Sequence, residues 1–141
     1  MRIMAIDYGD AHTGIAVSDP TGFLAGFTTV IDAYRPDIVV ERIALLAREH
    51  GAERLVLGHP INMDGTRGPR SEKAQAMRQL LEETTGLPVV LWDERRTTID
   101  AHQILFNSGK NAKKRKKVVD AVAASLILEG YLTYLKNHPE G

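Results

Sequence analysis

Three apolar, β-branched runs crowd into the first 31 residues before any helical periodicity begins, and this ordering constrains the fold more than any other feature of the chain. Arg2 to Tyr8 is one such run, closed by an acid, and Gly14 to Ser18 is the next, with the polar, glycine-bounded stretch Gly9-Asp10-Ala11-His12-Thr13 between them. That spacing predicts a hairpin. Leu24 to Ile31, rich in Phe and β-branched residues, supplies a third strand, so three antiparallel strands are expected to open the fold.

The pattern then changes period. Pro36 suits the first turn of a helix, and Ile38, Ile43, Leu45, Leu46 and Ala47 continue its apolar face up to Gly51. Leu55-Val56-Leu57 reads as a short buried strand that stops at Gly58. From His59 to Arg70 the punctuation of Pro60, Asn62, Asp64, Gly65, Gly68 and Pro69 predicts a loop, long enough that a functional role is expected of it. A helix over about 69–85 is closed by Gly86, and Val89 to Trp92 is a last strand, apolar in every position as a sheet covered on both faces requires. Thr97 to Asn107 should be helical, with Thr97 as cap and Asp100 three residues on. The final helix is expected from about Lys117 to Lys136, apolar nearly all round. Hairpin strands followed by alternating helix and strand predict an α/β fold, a mixed five-stranded sheet with helices on both faces. Residues 1–136 should form one domain and 137–141 a frayed tail.

Composition narrows the chemistry. A chain of 141 residues, 43% apolar, can bury a core without covalent staples. The absence of cysteine excludes disulfides, thiolate zinc sites, iron–sulfur clusters and a cysteine nucleophile, and it fits a reducing cytoplasm. No run approaches the ~20 apolar residues of a membrane span, and Met1-Arg2 leads straight into a strand, so a cytoplasmic protein with no membrane partner is expected. His12, His50, His59, His102 and His138 show no zinc-ligand spacing, and no serine sits in a nucleophile elbow. His59, in the long loop, is expected to hold a hydrogen bond rather than to catalyse.

Basic and acidic residues balance at 18 each, yet six of the eight residues from Lys110 to Lys117 are basic. A lysine run by itself is explained by a solvated loop. It gains meaning from three acidic positions that share one chemistry. Asp7 closes the first strand after Ile3, Met4, Ala5 and Ile6, where a carboxylate is rare unless paired or bound to metal, although a turn-forming Asp before Gly9 also accounts for it. Asp93 and Glu94 close the last strand, where capping or pairing with Arg95 or Arg96 is the plainer alternative. Asp120 shares a helical face with Ala123, Ala124, Ile127 and Tyr131, a face that should meet the sheet, unless Asp120 merely favours the dipole of a first turn. Carboxylates at two strand ends and on one covering helix make an oxygen-only set suited to Mg²⁺ or Mn²⁺. Two such ions about 3.5–4 Å apart can activate water and stabilise the leaving oxygen in phosphodiester cleavage. The basic segment before Asp120 would then hold the polyanion.

The segments Ala5-Ile6-Asp7-Tyr8-Gly9, Val56-Leu57-Gly58-His59-Pro60 with Asn62-Met63-Asp64-Gly65, Trp92-Asp93-Glu94-Arg95-Arg96-Thr97-Thr98 and Lys116-Lys117-Val118-Val119-Asp120 resemble the YqgF family, over nearly the whole chain. Proteins of that family are also called Holliday junction resolvases or pre-16S rRNA nucleases. The resemblance implies an RNase H-like fold and a metal-dependent nuclease that matures the 5′ end of 16S rRNA. It implies that Asp7, Glu94 and Asp120 bind the metal and position the attacking water. Asp93 and Asp64 are alternatives for the middle acid, and the longer stem of Glu94 favours it. Lys113, Lys114, Arg115, Lys116 and Lys117, with Arg95 and Arg96, would hold phosphates, and the loop from Asn62 to Gly65 would shape the cleft. The family usually carries Lys or Arg just before the glycine matching Gly14, where this chain has His12-Thr13, so its hairpin is not expected to grip a phosphate.

Other readings remain open on the residues. A Holliday junction resolvase acting on branched DNA would need two active sites, most simply in a dimer. A non-catalytic RNA-binding factor of ribosome assembly would use the carboxylates structurally. Asp7-Tyr8-Gly9 with Gly14 beyond also resembles the phosphate loop of the actin and sugar-kinase group, but those proteins close two such domains around ATP. The partner expected is nucleic acid, an rRNA precursor ahead of branched DNA, in or near ribosomal particles, bound by a monomer or a weakly associating homodimer.

Overall fold

The chain was analysed as a computed structural model that describes residues 1–19, 25–59, 68–93 and 112–138. The sheet is built from β1 (Ile3–Asp7), β2 (His12–Ser18), β3 (Ala25–Asp32), β4 (Arg54–His59) and β5 (Val89–Asp93). The helices are α1 (Pro36–His50), α2 (Pro69–Thr85) and α3 (Ala112–Asn137). The helix expected over 97–107, the loop residues 60–67 and the tail from 139 lie outside the described residues.

Strand order is β3-β2-β1-β4-β5. The opening three strands are antiparallel neighbours, as the hairpin pattern predicted, while β4 and β5 join parallel to β1. Gly9 keeps the β1–β2 turn tight, because a Cβ there would collide with the His12 carbonyl oxygen. Both early helices begin with Pro at the first helical position, where its missing N–H costs nothing, and both end on a left-handed glycine, Gly51 at φ 66° and Gly86 at φ 70°.

Strand periodicity divides the core in two. Met4, Ile6, Ile15, Val17, Leu55, Leu57 and Val89 point to the face covered by α1 and α2, with Tyr8 and Leu91 packed at its margin. Ile3, Ala5, Ala16, Val56 and Trp92 point to the opposite face, where Ala124, Ile127, Leu128 and Tyr131 of α3 meet them. Helices therefore cover both faces, as predicted. Gly130 lets α3 approach closely, since a Cβ there would stand 3.3 Å from the Trp92 ring. Tyr131 and Tyr134 meet that ring edge-on at centroid distances of 5.7 and 5.8 Å.

One boundary differs from expectation. The last helix begins at Ala112, not near Lys117, so Lys113 to Lys117 are helical rather than part of a connecting loop. The reason is local: Ala, Lys and Arg are strong helix formers, and no Gly or Pro stands between Gly109 and Gly130 to interrupt them. Asp120 consequently stands in the third turn, too far from the helix start for the dipole reading to apply.

Candidate active site

The three parallel strands place Asp7, His59 and Asp93 at one edge of the sheet, the carboxyl end. At β1 the chain leaves to β2 on one side while β4 returns on the other, a switch of direction that opens a crevice beyond the strand ends. Alternation along each strand decides which face each side chain uses. On β1, Ile3 and Ala5 face α3, so Asp7 does also, and it is half-buried there. In the ladder Asp7 lies opposite Gly14 of β2, and the pairing of Ile6 with Leu57 carries on to Gly58 of β4. Asp7 is thus flanked by glycine on both sides in the sheet. In the sequence Gly14 opens the second apolar run and Gly58 stops the fourth strand; only the register brings them beside Asp7.

Asp93 belongs to the other face. Val89 and Leu91 pack with α1 and α2, and Asp93 continues their alternation, paired in the parallel ladder with His59. His59 is the last residue of β4 rather than a loop residue, 5% exposed, and its Nε2 shares a 2.5 Å hydrogen bond with Ser71 Oγ in the first turns of α2. Gln75 Nε2 donates to the same hydroxyl at 3.3 Å. The hydrogen-bonding role expected of His59 is the one it has, and its partner Ser71 carried no signal in the sequence. His12 is likewise occupied, its Nδ1 2.6 Å from Asp32 Oδ1.

The position of α3 relates Asp120 to Asp7 through the backbone. Ala124 is fully buried in the cluster that holds Ala5 and Ala16, which are ladder partners. Toward its C-terminus the helix is tied to the opposite end of the sheet, where Arg54, level with Ile3, donates from Nη1 to the Tyr131 hydroxyl at 2.9 Å. Going the other way, Asp120 comes one turn before Ala124, about 6 Å of rise, and Asp7 comes one pleat beyond Ala5, about 7 Å. The two steps lead toward the same edge of the sheet. Lys113, Lys114, Arg115, Lys116 and Lys117 occupy the first two turns of that helix. Glu94, Arg95, Arg96, Asn62 and Asp64 lie outside the described residues. Among the described residues no three acidic or histidine side chains gather into a metal-binding group. None of the described helices is long and apolar enough to cross a membrane.

A family profile described as "RuvX: Holliday junction resolvase" matches residues 1–134. The chain is 43% identical over 134 residues to a protein of Halothermothrix orenii, covering 95% of this chain and 96% of that one. It is 44% identical over 139 residues to one of Bacillus licheniformis, covering 97% and 100%. Both relatives bear the name "Putative pre-16S rRNA nuclease". Among solved structures it is similar to Thermus thermophilus RuvC in complex with a Holliday junction substrate, with TM-score 0.64 at 15% identity over 95% of this chain and 96% of that one. That likeness establishes the RNase H-like fold.

Proposed function

The chain belongs to the RuvX family, and from that premise we propose that it is a divalent-metal-dependent nuclease that cuts the 16S rRNA precursor near its 5′ end; its curated relatives are named as pre-16S rRNA nucleases. The observation that carries this reading is Asp7 at the carboxyl end of β1, on the face covered by α3, with glycine on either side of it in the sheet. A cation and a phosphate oxygen need room beside the carboxylate, and two missing side chains provide it.

The donor set fits Mg²⁺ or Mn²⁺, which take carboxylate and water oxygens and keep several waters. Asp7, Glu94 and Asp120 would hold it. Strand alternation weighs against the neighbouring Asp93, since Trp92 faces α3 and Asp93 faces away from it. Bound there, the ion supplies Lewis acidity, lowering the pKa of water and offsetting charge on the leaving oxygen. The chain's own residues do the positioning. Asp7 is fixed by a ladder with a neighbour on each side, and Asp120 by a helix whose next turn is locked into the core at Ala124. The basic turns of α3, with Arg95 and Arg96, hold the backbone of the substrate without reading its sequence, while Asn62 and its loop line the cleft. A single site suffices for a cut in one RNA strand, so a monomer is competent.

The test is cleavage of a pre-16S rRNA 5′ fragment and of a four-way DNA junction, each with Mg²⁺ or Mn²⁺, by the wild type, Asp7→Asn and Asp120→Asn. RNA cleavage lost in both variants, with folding retained, is the expected result. Preferential junction cutting would make the protein a resolvase instead. RNA bound but not cut by the wild type would make it a non-catalytic assembly factor.

A further inference from the structure

On the face of the sheet away from Asp7, a pocket of about 450 Å³ opens between the β1–β2 turn, the start of α1 and the first turns of α2. Tyr8, Asp10, Tyr34, Lys73 and Met77 are among its walls. We propose that this pocket receives an unpaired nucleobase of the substrate RNA, from the nucleotide next to the phosphate held at Asp7. The proposal rests on the nuclease reading above and adds to it a strand-specific subsite.

Location is the first argument. Tyr8 follows Asp7 in the chain, and alternation sends the two side chains to opposite faces of the same strand end, with Cα atoms about 3.8 Å apart. A strand draped over that edge can set a phosphate on one side and its neighbouring base on the other. A paired base cannot make that excursion, so the subsite selects single-stranded RNA.

Chemistry is the second. Tyr34 is 81% exposed, far beyond what an aromatic ring gains by packing at home, and neither it nor Tyr8 stacks on another ring among the described residues. Exposed aromatic faces beside a cation form the platform on which proteins stack unpaired bases. The charges specify a base rather than a phosphate. Lys73 is already bonded to Asp10 at 3.1 Å, so the pocket mouth carries one cation and one carboxylate and has no net attraction for a dianion. Volume agrees: about 450 Å³ lies within the roughly 300–1,000 Å³ of small-ligand pockets.

The experiment uses a single-stranded RNA spanning the 16S 5′ cleavage site, with 2-aminopurine at successive positions, bound to the full-length Asp7→Asn protein so that nothing is cut. One position, adjacent to the scissile phosphate, should lose fluorescence as its base stacks. Tyr34→Ala should abolish that quench and weaken binding about 5- to 150-fold, the range of one stacked base, while Tyr34→Trp restores both. Because Tyr34 is exposed, these changes leave the fold intact, which thermal melting checks. A fully duplex RNA should bind equally to all three proteins. Wild-type cleavage at the expected site, with no quench at any position or no effect of Tyr34→Ala, overturns the pocket and leaves the nuclease reading standing. Failure of the protein to bind or cut this RNA overturns both together.

Discussion

The sharpest consequence of the geometry concerns the length of one side chain. Asp7→Glu keeps the charge and the oxygen donors and moves them outward by one carbon–carbon bond, about 1.5 Å. The fold should tolerate the change, because Asp7 ends its strand, is only half-buried and has a glycine, Gly14, as its ladder partner on β2. Its cost in stability should therefore fall below the roughly 1–3 kcal/mol of an overpacked core site, a shift in Tm of at most a few degrees for a chain of this size. Catalysis should not tolerate it. A displacement of about 1 Å in a positioned group costs about 100-fold in rate, or roughly 2.7 kcal/mol of activation free energy, so cleavage should fall by at least that factor while RNA affinity changes little. The assay is single-turnover cleavage of the rRNA fragment at saturating Mg²⁺ and at saturating Mn²⁺, beside a melt followed by Trp92, the chain's one tryptophan. Cleavage within about threefold of wild type in both metals would refute the reasoning: Asp7 would then not be a ligand held to a defined position.

Other measurements test the framework around the site. Ser71→Ala removes the hydroxyl that His59, 5% exposed, meets at 2.5 Å, and should cost about 1–3 kcal/mol in urea unfolding. Gly130→Val drives a branched side chain toward a ring that a bare Cβ already approaches to 3.3 Å, and should cost about 1–3 kcal/mol and alter Trp92 emission. The raised Tyr8 means that the folded state holds the phenolic proton more tightly than the unfolded chain. Its contribution to stability is complete below the ordinary tyrosine value of 10.0 and is lost as pH rises through the higher folded value. The stability of the wild type should accordingly fall relative to that of Tyr8→Phe as pH rises above 10, and a difference independent of pH would contradict the assignment.

How far the sequence discloses this molecule depends on whether a feature is local. Pro36 and Gly51, Pro69 and Gly86 bracket two helices whose ends lie where those residues predict, because proline and glycine act on their own backbone. The antiparallel opening of the sheet was equally readable, since its turn is short and its strands adjoin in sequence. What escaped was long-range or ambiguous. The His12–Asp32 contact joins residues twenty apart, and the His59–Ser71 bond spans the long loop. A lysine-rich run reads as solvated chain until the absence of a breaker is weighed against its charge, and here the helix prevails. For the candidate site, residue types pointed to Asp7 and Asp120, but faces did not: only the ladder separates Asp93, turned toward α1 and α2, from the side of Asp7. The pocket beside Tyr8 is assembled from three segments and has no contiguous motif to find.

The helical state of Lys113 to Lys117 also has an energetic meaning. Cations in the first turns of a helix oppose its dipole, each by roughly 0.3–1 kcal/mol, and Lys113–Lys117 and Lys113–Lys116 are like-charge pairs at helical spacing. No acid stands in the first turn of α3 to compensate. Stability alone would not select this arrangement, but a polyanion relieves both terms at once. On the proposed function, attachment to the helix that carries Asp120 would couple substrate grip to the cleavage site. Two results should follow. Backbone amides of residues 112–117 should exchange more slowly with RNA bound to the Asp7→Asn protein than without it. The logarithmic salt dependence of RNA affinity should fall by about 0.7–0.9 for each of these residues changed to Ala that contacts a phosphate. If a variant neutralised at all five positions, Lys113 to Lys117, kept the wild-type salt slope, the basic turns would have no part in holding RNA, and the unfavourable charges at the head of α3 would need another cause.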